Sequence, residues 1–196
     1  GLIKEEIVER INSNTDVIGI TNMFLHEWEF IHQILKLIKQ KYPNITIVVG
    51  GETATAWWDY MLKKSPELDI CVIGEGEDVM VGLLDTLSRG KSLNNAGSIA
   101  FKNNGEITVT ERMKRIKNIN DIPLPAWDLF PVDEYLKHEF GSGVNRGKSM
   151  PMLTSRGCPF QCTFCSSADM WTTRYFARDP NKVVDEVEFY QKRYGV

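Results

Sequence analysis

The chain is 196 residues long, 42% hydrophobic and 25% charged; that length suits one large domain or two small ones, and that composition can bury a core, which excludes wholesale disorder. No run approaches the roughly 20 apolar residues of a membrane span, and residues 1–20 carry no basic-then-apolar export signal, so a cytoplasmic setting is expected. The formal net charge of -3 argues against a dedicated nucleic-acid binder.

Leu2, Ile3, Ile7 and Ile11 recur at helical spacing, and Val17-Ile18-Gly19-Ile20 is a short buried strand. Phe30, Ile31, Ile34, Leu35 and Ile38 mark a second helix, stopped at Tyr42-Pro43-Asn44. Ile45 to Val49 is a β-branched strand ending at Gly50-Gly51, and a third helix runs from about Thr53 to Lys64. Ile70 to Ile73 is a third strand, ending at Gly74-Glu75-Gly76-Glu77, with Val79, Leu83, Leu84 and Leu87 marking the next helix. Fully apolar strands separated by helices imply an α/β fold, a doubly wound parallel sheet covered on both faces. Such sheets begin with a strand and this chain begins with a helix, so the domain is expected to lack its first strand. Ser98 to Phe101 and Ile107 to Val109, flanking Asn103-Asn104-Gly105, read as a β-hairpin.

The character then changes. Ile122-Pro123-Leu124-Pro125-Ala126-Trp127 and Phe130-Pro131 form a proline-rich connector, expected to lie against a domain surface through Trp127, Leu129 and Phe130. Gly141-Ser142-Gly143 reads as a loop, and Met150 to Ser155 as a strand candidate. In the last helix, Asp179 is the cap, Pro180 the first residue and Gly195 the terminator, with an apolar stripe of Val183, Val184, Val187, Tyr190 and Tyr194. The expected segments are 1–112, an α/β domain; 113–148, a connector; and 149–196, the opening strand–helix unit of a further domain.

Between that last strand and helix lies Thr154-Ser155-Arg156-Gly157-Cys158-Pro159-Phe160-Gln161-Cys162-Thr163-Phe164-Cys165. Three of the four cysteines fall within eight residues, which is not a disulfide framework. C-x3-C-x2-C can wrap one iron–sulfur cube, leaving one of its four irons without a protein ligand and free to bind a small molecule. A structural zinc site needs a fourth ligand, available only from Cys71, His26, His32 or His138, none at finger-like spacing. Phe160 and Phe164 are placed to shield a cluster from water.

This loop resembles the signature of the radical S-adenosylmethionine (SAM) enzymes, and Thr154 to Phe164 is especially similar to the branch with an N-terminal cobalamin-binding domain. The resemblance implies that Cys158, Cys162 and Cys165 hold a [4Fe–4S] cluster and that Phe164 lies near the adenine of SAM. It also implies that the open iron binds SAM, which one electron cleaves to methionine and a 5′-deoxyadenosyl radical. Thr21-Asn22-Met23, Gly50-Gly51 and Gly74-Glu75-Gly76-Glu77 look like the strand-end loops of the cobalamin-binding domain, which makes Thr21, Gly50, Gly51, Gly74, Glu75 and Gly76 the candidate cobalamin contacts. The connector is similar to the family's interdomain segment. The Asp-x-His-x-x-Gly motif that supplies a lower-axial histidine to cobalt is absent from these residues, as it is from many members of the branch. Gly50-Gly51-Glu52 precedes the cysteine loop and so does not match the Gly-Gly-Glu segment of the barrel.

The fold implied is a Rossmann-like, cobalamin-binding α/β domain followed by the first unit of a radical SAM partial TIM barrel. The implied activity is methyl transfer, with methylcobalamin as donor, or cyclisation or rearrangement at an unactivated carbon. The implied partners are a small-molecule substrate and an electron donor such as flavodoxin or ferredoxin. The chain is read as an N-terminal portion, inactive on its own for want of later barrel strands. A methylthiotransferase would carry three further N-terminal cysteines, and only Cys71 is there; a non-enzymatic zinc or iron–sulfur module is the other alternative.

Overall fold

The computed structural model describes residues 2–138 and 147–196; the loop expected at Gly141-Ser142-Gly143 lies outside them. The chain divides into two compact units, Gly1–Arg115 with Phe160–Thr173, and Ile116–Pro159 with Arg174–Val196. These cut across the segments drawn from the sequence. The first boundary falls at Arg115 rather than 112, and Phe160–Thr173 packs with the first unit although it follows the connector.

In the first unit, β1 (Val17–Thr21), β2 (Thr46–Gly50) and β3 (Ile70–Val72) are parallel neighbours in that order. Helices α1 (Lys4–Glu9), α2 (Trp28–Lys41) and α3 (Glu52–Lys64) precede or join them. Strand side chains alternate between faces. Ile47, Val49 and Cys71 pack with Ile31, Leu35 and Ile38 of α2 and Ala54, Met61 and Leu62 of α3. Val48, Ile70 and Val72 face the other way, onto Val79 and Leu83 of α4 (Gly76–Ser88). Both faces are thus covered, which is why the strands read as continuous apolar runs. β1 has one strand neighbour and is only partly buried.

β4 (Ile99–Asn103) pairs antiparallel with β3, and β5 (Glu106–Val109) antiparallel with β4. The turn is Asn104-Gly105, with φ of 51° and 87°, the left-handed pair that a two-residue hairpin needs. The sheet is therefore mixed, parallel through β3 and antiparallel at the hairpin, because a two-residue turn can join only antiparallel strands. Two reversals leave β5 running parallel to β3, so its carboxyl end emerges on the same sheet edge.

Cys71 sits within β3, fully buried, and burial pushes its thiol up to about 12, against a smaller lowering effect of Lys102. The thiolate is the nucleophile. In native protein at pH 8, an aromatic disulfide reagent should therefore modify the exposed Cys162 and Cys165 and leave Cys71 untouched until denaturant is added. Native-state labelling of Cys71, read by peptide mass, would contradict this.

In the second unit, β6 (Ser155–Arg156) pairs antiparallel with β7 (Phe176–Ala177), and α5 (Val132–Lys137) and α7 (Pro180–Tyr194) are its helices. Of the strand expected over Met150 to Ser155 only Ser155 is in β6, which ends one residue later at Arg156; Pro151 lacks a ladder donor. The connector's expected packing holds for Trp127, whose indole Nε1 donates to Tyr190 Oη at 2.8 Å. Leu129 and Phe130 are 80% and 59% exposed. α7 is capped as expected: Asp179 Oδ1 accepts from Asn181 N at 2.8 Å, and Gly195 is left-handed. Its apolar stripe is half open, with Val184 and Val187 exposed. The buried residues of α7 are Glu186 and Tyr190, because Tyr190 Oη donates to Glu186 at 2.6 Å and Arg178 pairs with the same carboxylate. Burial, and next the Glu186 hydrogen bond, push the Tyr190 phenol up to about 12. Among the described residues no helix is long and apolar enough to cross a membrane.

Candidate functional site

Ligands of open α/β sheets bind beyond the carboxyl ends of the strands. Register places Thr21 of β1 opposite Gly50 of β2, and β3 ends two residues before Gly74. The six candidate contacts, Thr21, Gly50, Gly51, Gly74, Glu75 and Gly76, all line one crevice of about 560 Å³ at this edge. Its apolar lining includes Ile20, Val48, Val72 and Met80.

The glycines have different tasks. Gly51 caps α3 with φ 100° and ψ -175°, a region open essentially to glycine alone. A Cβ there would lie 2.7 Å from the Asn22 carbonyl oxygen and 3.1 Å from Thr21 Oγ1. Gly51 therefore serves close packing of the β1 loop, which is stitched down by Asn22 N donating to Gly50 O at 2.7 Å and Thr53 N to Asn22 O at 3.1 Å. Gly74 is also left-handed, at φ 85°. Gly76, the first residue of α4, has ordinary φ and nothing within 4 Å of its Cβ position. That open space faces a cavity it lines, a cradle that a planar group can occupy and a side chain would fill.

Sequence reasoning missed the crevice's remaining wall. Met170 and Trp171, on α6 (Ser167–Trp171), line it as well. Thr55 Oγ1 accepts from Gly74 N at 2.9 Å and donates to Met170 Sδ at 3.4 Å. Ser166 Oγ donates to Glu52 at 2.9 Å. Arg112 donates to Asp169 O at 2.7 Å, Arg115 donates to Trp171 O, and the Arg115 guanidinium lies 3.7 Å from Glu75. The signal that could have found the arginines is strand counting across the hairpin, which brings the segment after β5 to this edge. Glu75, proposed as a cofactor contact, thus also faces a partner within the protein. None of the described residues lining the crevice is a histidine; His26 lies in a 3₁₀ turn and His32 stacks on Trp28 at 5.4 Å.

The cysteine loop spans the division between the units, which falls after Pro159. Cys158 is half-buried, and Cys162 and Cys165 are exposed, with Cys165 N donating to Cys162 O at 3.0 Å. Phe160 and Phe164 are 70% and 91% exposed, so they cover nothing in this structure. Among the described residues no group of three His, Cys, Asp or Glu side chains is gathered to hold a metal. The donor set nonetheless fits an iron–sulfur group in type and number, since soft thiolates are its protein ligands.

Residues 3–84 match the family model of the B12 binding domain. The chain is 31% identical over 181 residues to an uncharacterized methyltransferase of Pyrococcus horikoshii, covering 92% of the chain and 38% of that protein. It is 30% identical over 200 residues to the anaerobic magnesium-protoporphyrin IX monomethyl ester cyclase of Rubrivivax gelatinosus, covering 100% and 35%. Among solved structures, the cobalamin-dependent S-adenosylmethionine radical enzyme OxsB, with aqua-cobalamin and S-adenosylmethionine bound, superposes with a TM-score of 0.77 at 22% identity, over 98% of this chain and 26% of that one. The chain is thus similar along most of its length to cobalamin-dependent radical SAM enzymes, with a B12-binding domain match at residues 3–84. Its crevice lies within a B12-binding α/β fold, and its relatives include methyltransferases and a cyclase. The chain spans about two fifths or less of the lengths of these relatives.

Proposed function

We propose that the first unit binds cobalamin in the strand-end crevice and that Cys158, Cys162 and Cys165 hold a [4Fe–4S] cluster, in an enzyme that transfers a methyl group to, cyclises or rearranges an unactivated carbon of a small molecule. The observation that carries the reading is the convergence of Thr21, Gly50, Gly51, Gly74, Glu75 and Gly76 on one crevice, in a chain that also bears the three-thiol loop. Strand-end glycines let a planar macrocycle approach the backbone, Ile20, Val48, Val72 and Met80 exclude water beneath it, and the Thr21 hydroxyl offers a polar contact at the rim. When bound, the cluster supplies one electron to SAM and cobalamin supplies a methyl carrier; Phe164 is the proposed neighbour of the adenine. The source of the electron is a carrier such as flavodoxin or ferredoxin, and the setting is the cytoplasm. A methylthiotransferase is disfavoured because the additional N-terminal thiol, Cys71, is fully buried.

The test is titration of the chain with hydroxocobalamin, followed by visible absorbance. A saturable spectral change at micromolar cobalamin is expected. Folded chain that gives no change at high micromolar cobalamin would overturn the crevice assignment.

A further inference from the structure

α6 starts two residues after Cys165 and is only five residues long, too short to persist without tertiary support. That support comes largely from the sheet edge. Its terminal carbonyls, Asp169 O and Trp171 O, accept from Arg112 and Arg115, which satisfies orphan groups of a helix C-terminus with positive charge where the dipole favours it. The Arg115 guanidinium also lies over the Trp171 ring, 5.6 Å from its centroid, and faces the Glu75 carboxylate. Arg115 and Glu75 are nearly buried, at 13% and 7% exposure, so the contact is shielded from solvent in a way surface pairs are not. Met170, 8% exposed, is fixed from the other side by Thr55. Glu75, Met170 and Trp171 all line the crevice.

We infer that Arg115 is a positioning residue which, braced by Glu75, docks α6 as a wall of the crevice, so that a macrocycle bound there rests against Met170 and Trp171 of the segment that carries Cys162 and Cys165. The inference rests on the proposed cobalamin reading. Binding and docking are then linked: a ligand that touches the docked helix stabilises docking by the same factor by which docking tightens the ligand.

Hydrogen exchange reads this directly. The amides of Asp169, Met170 and Thr172 are bonded within α6 and its cap. Cyanocobalamin at saturation should slow their exchange by about fivefold or more. Arg115→Met should raise α6 exchange in the ligand-free chain to that of an undocked segment and weaken cyanocobalamin by about the factor by which the ligand slows exchange in the wild type, about fivefold or more, while exchange in β2 stays unchanged. A purely structural role would speed α6 exchange and leave the dissociation constant unmoved, and that result overturns the inference. Should Arg115→Met fail to fold, Arg115→Lys is read instead; it keeps a charge opposite Glu75 but loses the planar fork that serves Trp171. Wild-type chain that binds cyanocobalamin with α6 exchange unchanged overturns the docking claim and leaves the cobalamin reading intact. Wild-type chain that does not bind it overturns the cobalamin reading itself.

Discussion

Gly76→Leu should abolish most cobalamin binding while leaving the fold intact, and Gly51→Ala should do the reverse, damaging the fold first. The two glycines line the same crevice but answer to different physics. At Gly76 the backbone is ordinary, no atom lies within 4 Å of the Cβ position, and the residue opens a helix, where leucine is a better helix former than glycine. A leucine side chain there occupies the cradle. Overlap with a tightly fitting ligand costs about 1–3 kcal/mol, so cobalamin affinity should fall by about fivefold to over a hundredfold, with the melting temperature unchanged or slightly raised. At Gly51 the φ of 100° already costs an alanine roughly 1–3 kcal/mol. The Cβ also lies 2.7 Å from the Asn22 carbonyl, which is backbone pinned by Gly50 and Thr53 and cannot yield cheaply. Gly51→Ala should lower the melting temperature by about 10 °C, and any loss of cobalamin binding should track that destabilisation. Thermal scans with and without hydroxocobalamin separate the two. A Gly76→Leu chain that binds cobalamin as wild type does would place the macrocycle elsewhere.

The difference between those glycines marks how far the sequence could be read. Strand positions were legible because Ile45 to Val49 and Ile70 to Ile73 are apolar on both faces, and helix limits because Pro43, Asp179 and Gly195 act locally. The crevice was legible too, since strand ends in a parallel sheet share one edge. What could not be read was long-range. Gly51 is forced by the backbone of Asn22, nearly 30 residues earlier, rather than by a ligand. The α6 wall depends on Arg112 and Arg115, more than 50 residues before the carbonyls they hold, and no periodicity announces such a pairing. The α7 stripe misled for a related reason: Glu186 is buried because Arg178 and Tyr190 satisfy it, and a hydrophobic pattern cannot register a paired carboxylate.

Single Cys→Ala changes at Cys158, Cys162 or Cys165 should each abolish cluster assembly, and the same change at Cys71 should not. Three thiolates secure three irons of a cube and leave the fourth open. Taking away one leaves two ligands for four irons, too few to retain the cube, so the loss should be nearly complete at every position rather than graded. After anaerobic reconstitution and desalting, wild-type chain should carry about four irons with matching acid-labile sulfide, and each of the three variants less than about one. Cys162 and Cys165 are exposed and Cys158 half-buried, so replacing them removes little packing. Loss of iron without loss of melting temperature is therefore the expected signature of a ligand. Cys71 behaves oppositely. It is fully buried in the core that β3 shares with α2 and α3, so Cys71→Ala should lower the melting temperature, by the few degrees that correspond to about 1 kcal/mol, and keep its iron. One equivalent of zinc and no sulfide in wild-type chain would instead support a zinc module, and iron loss confined to Cys71→Ala would overturn the ligand assignment.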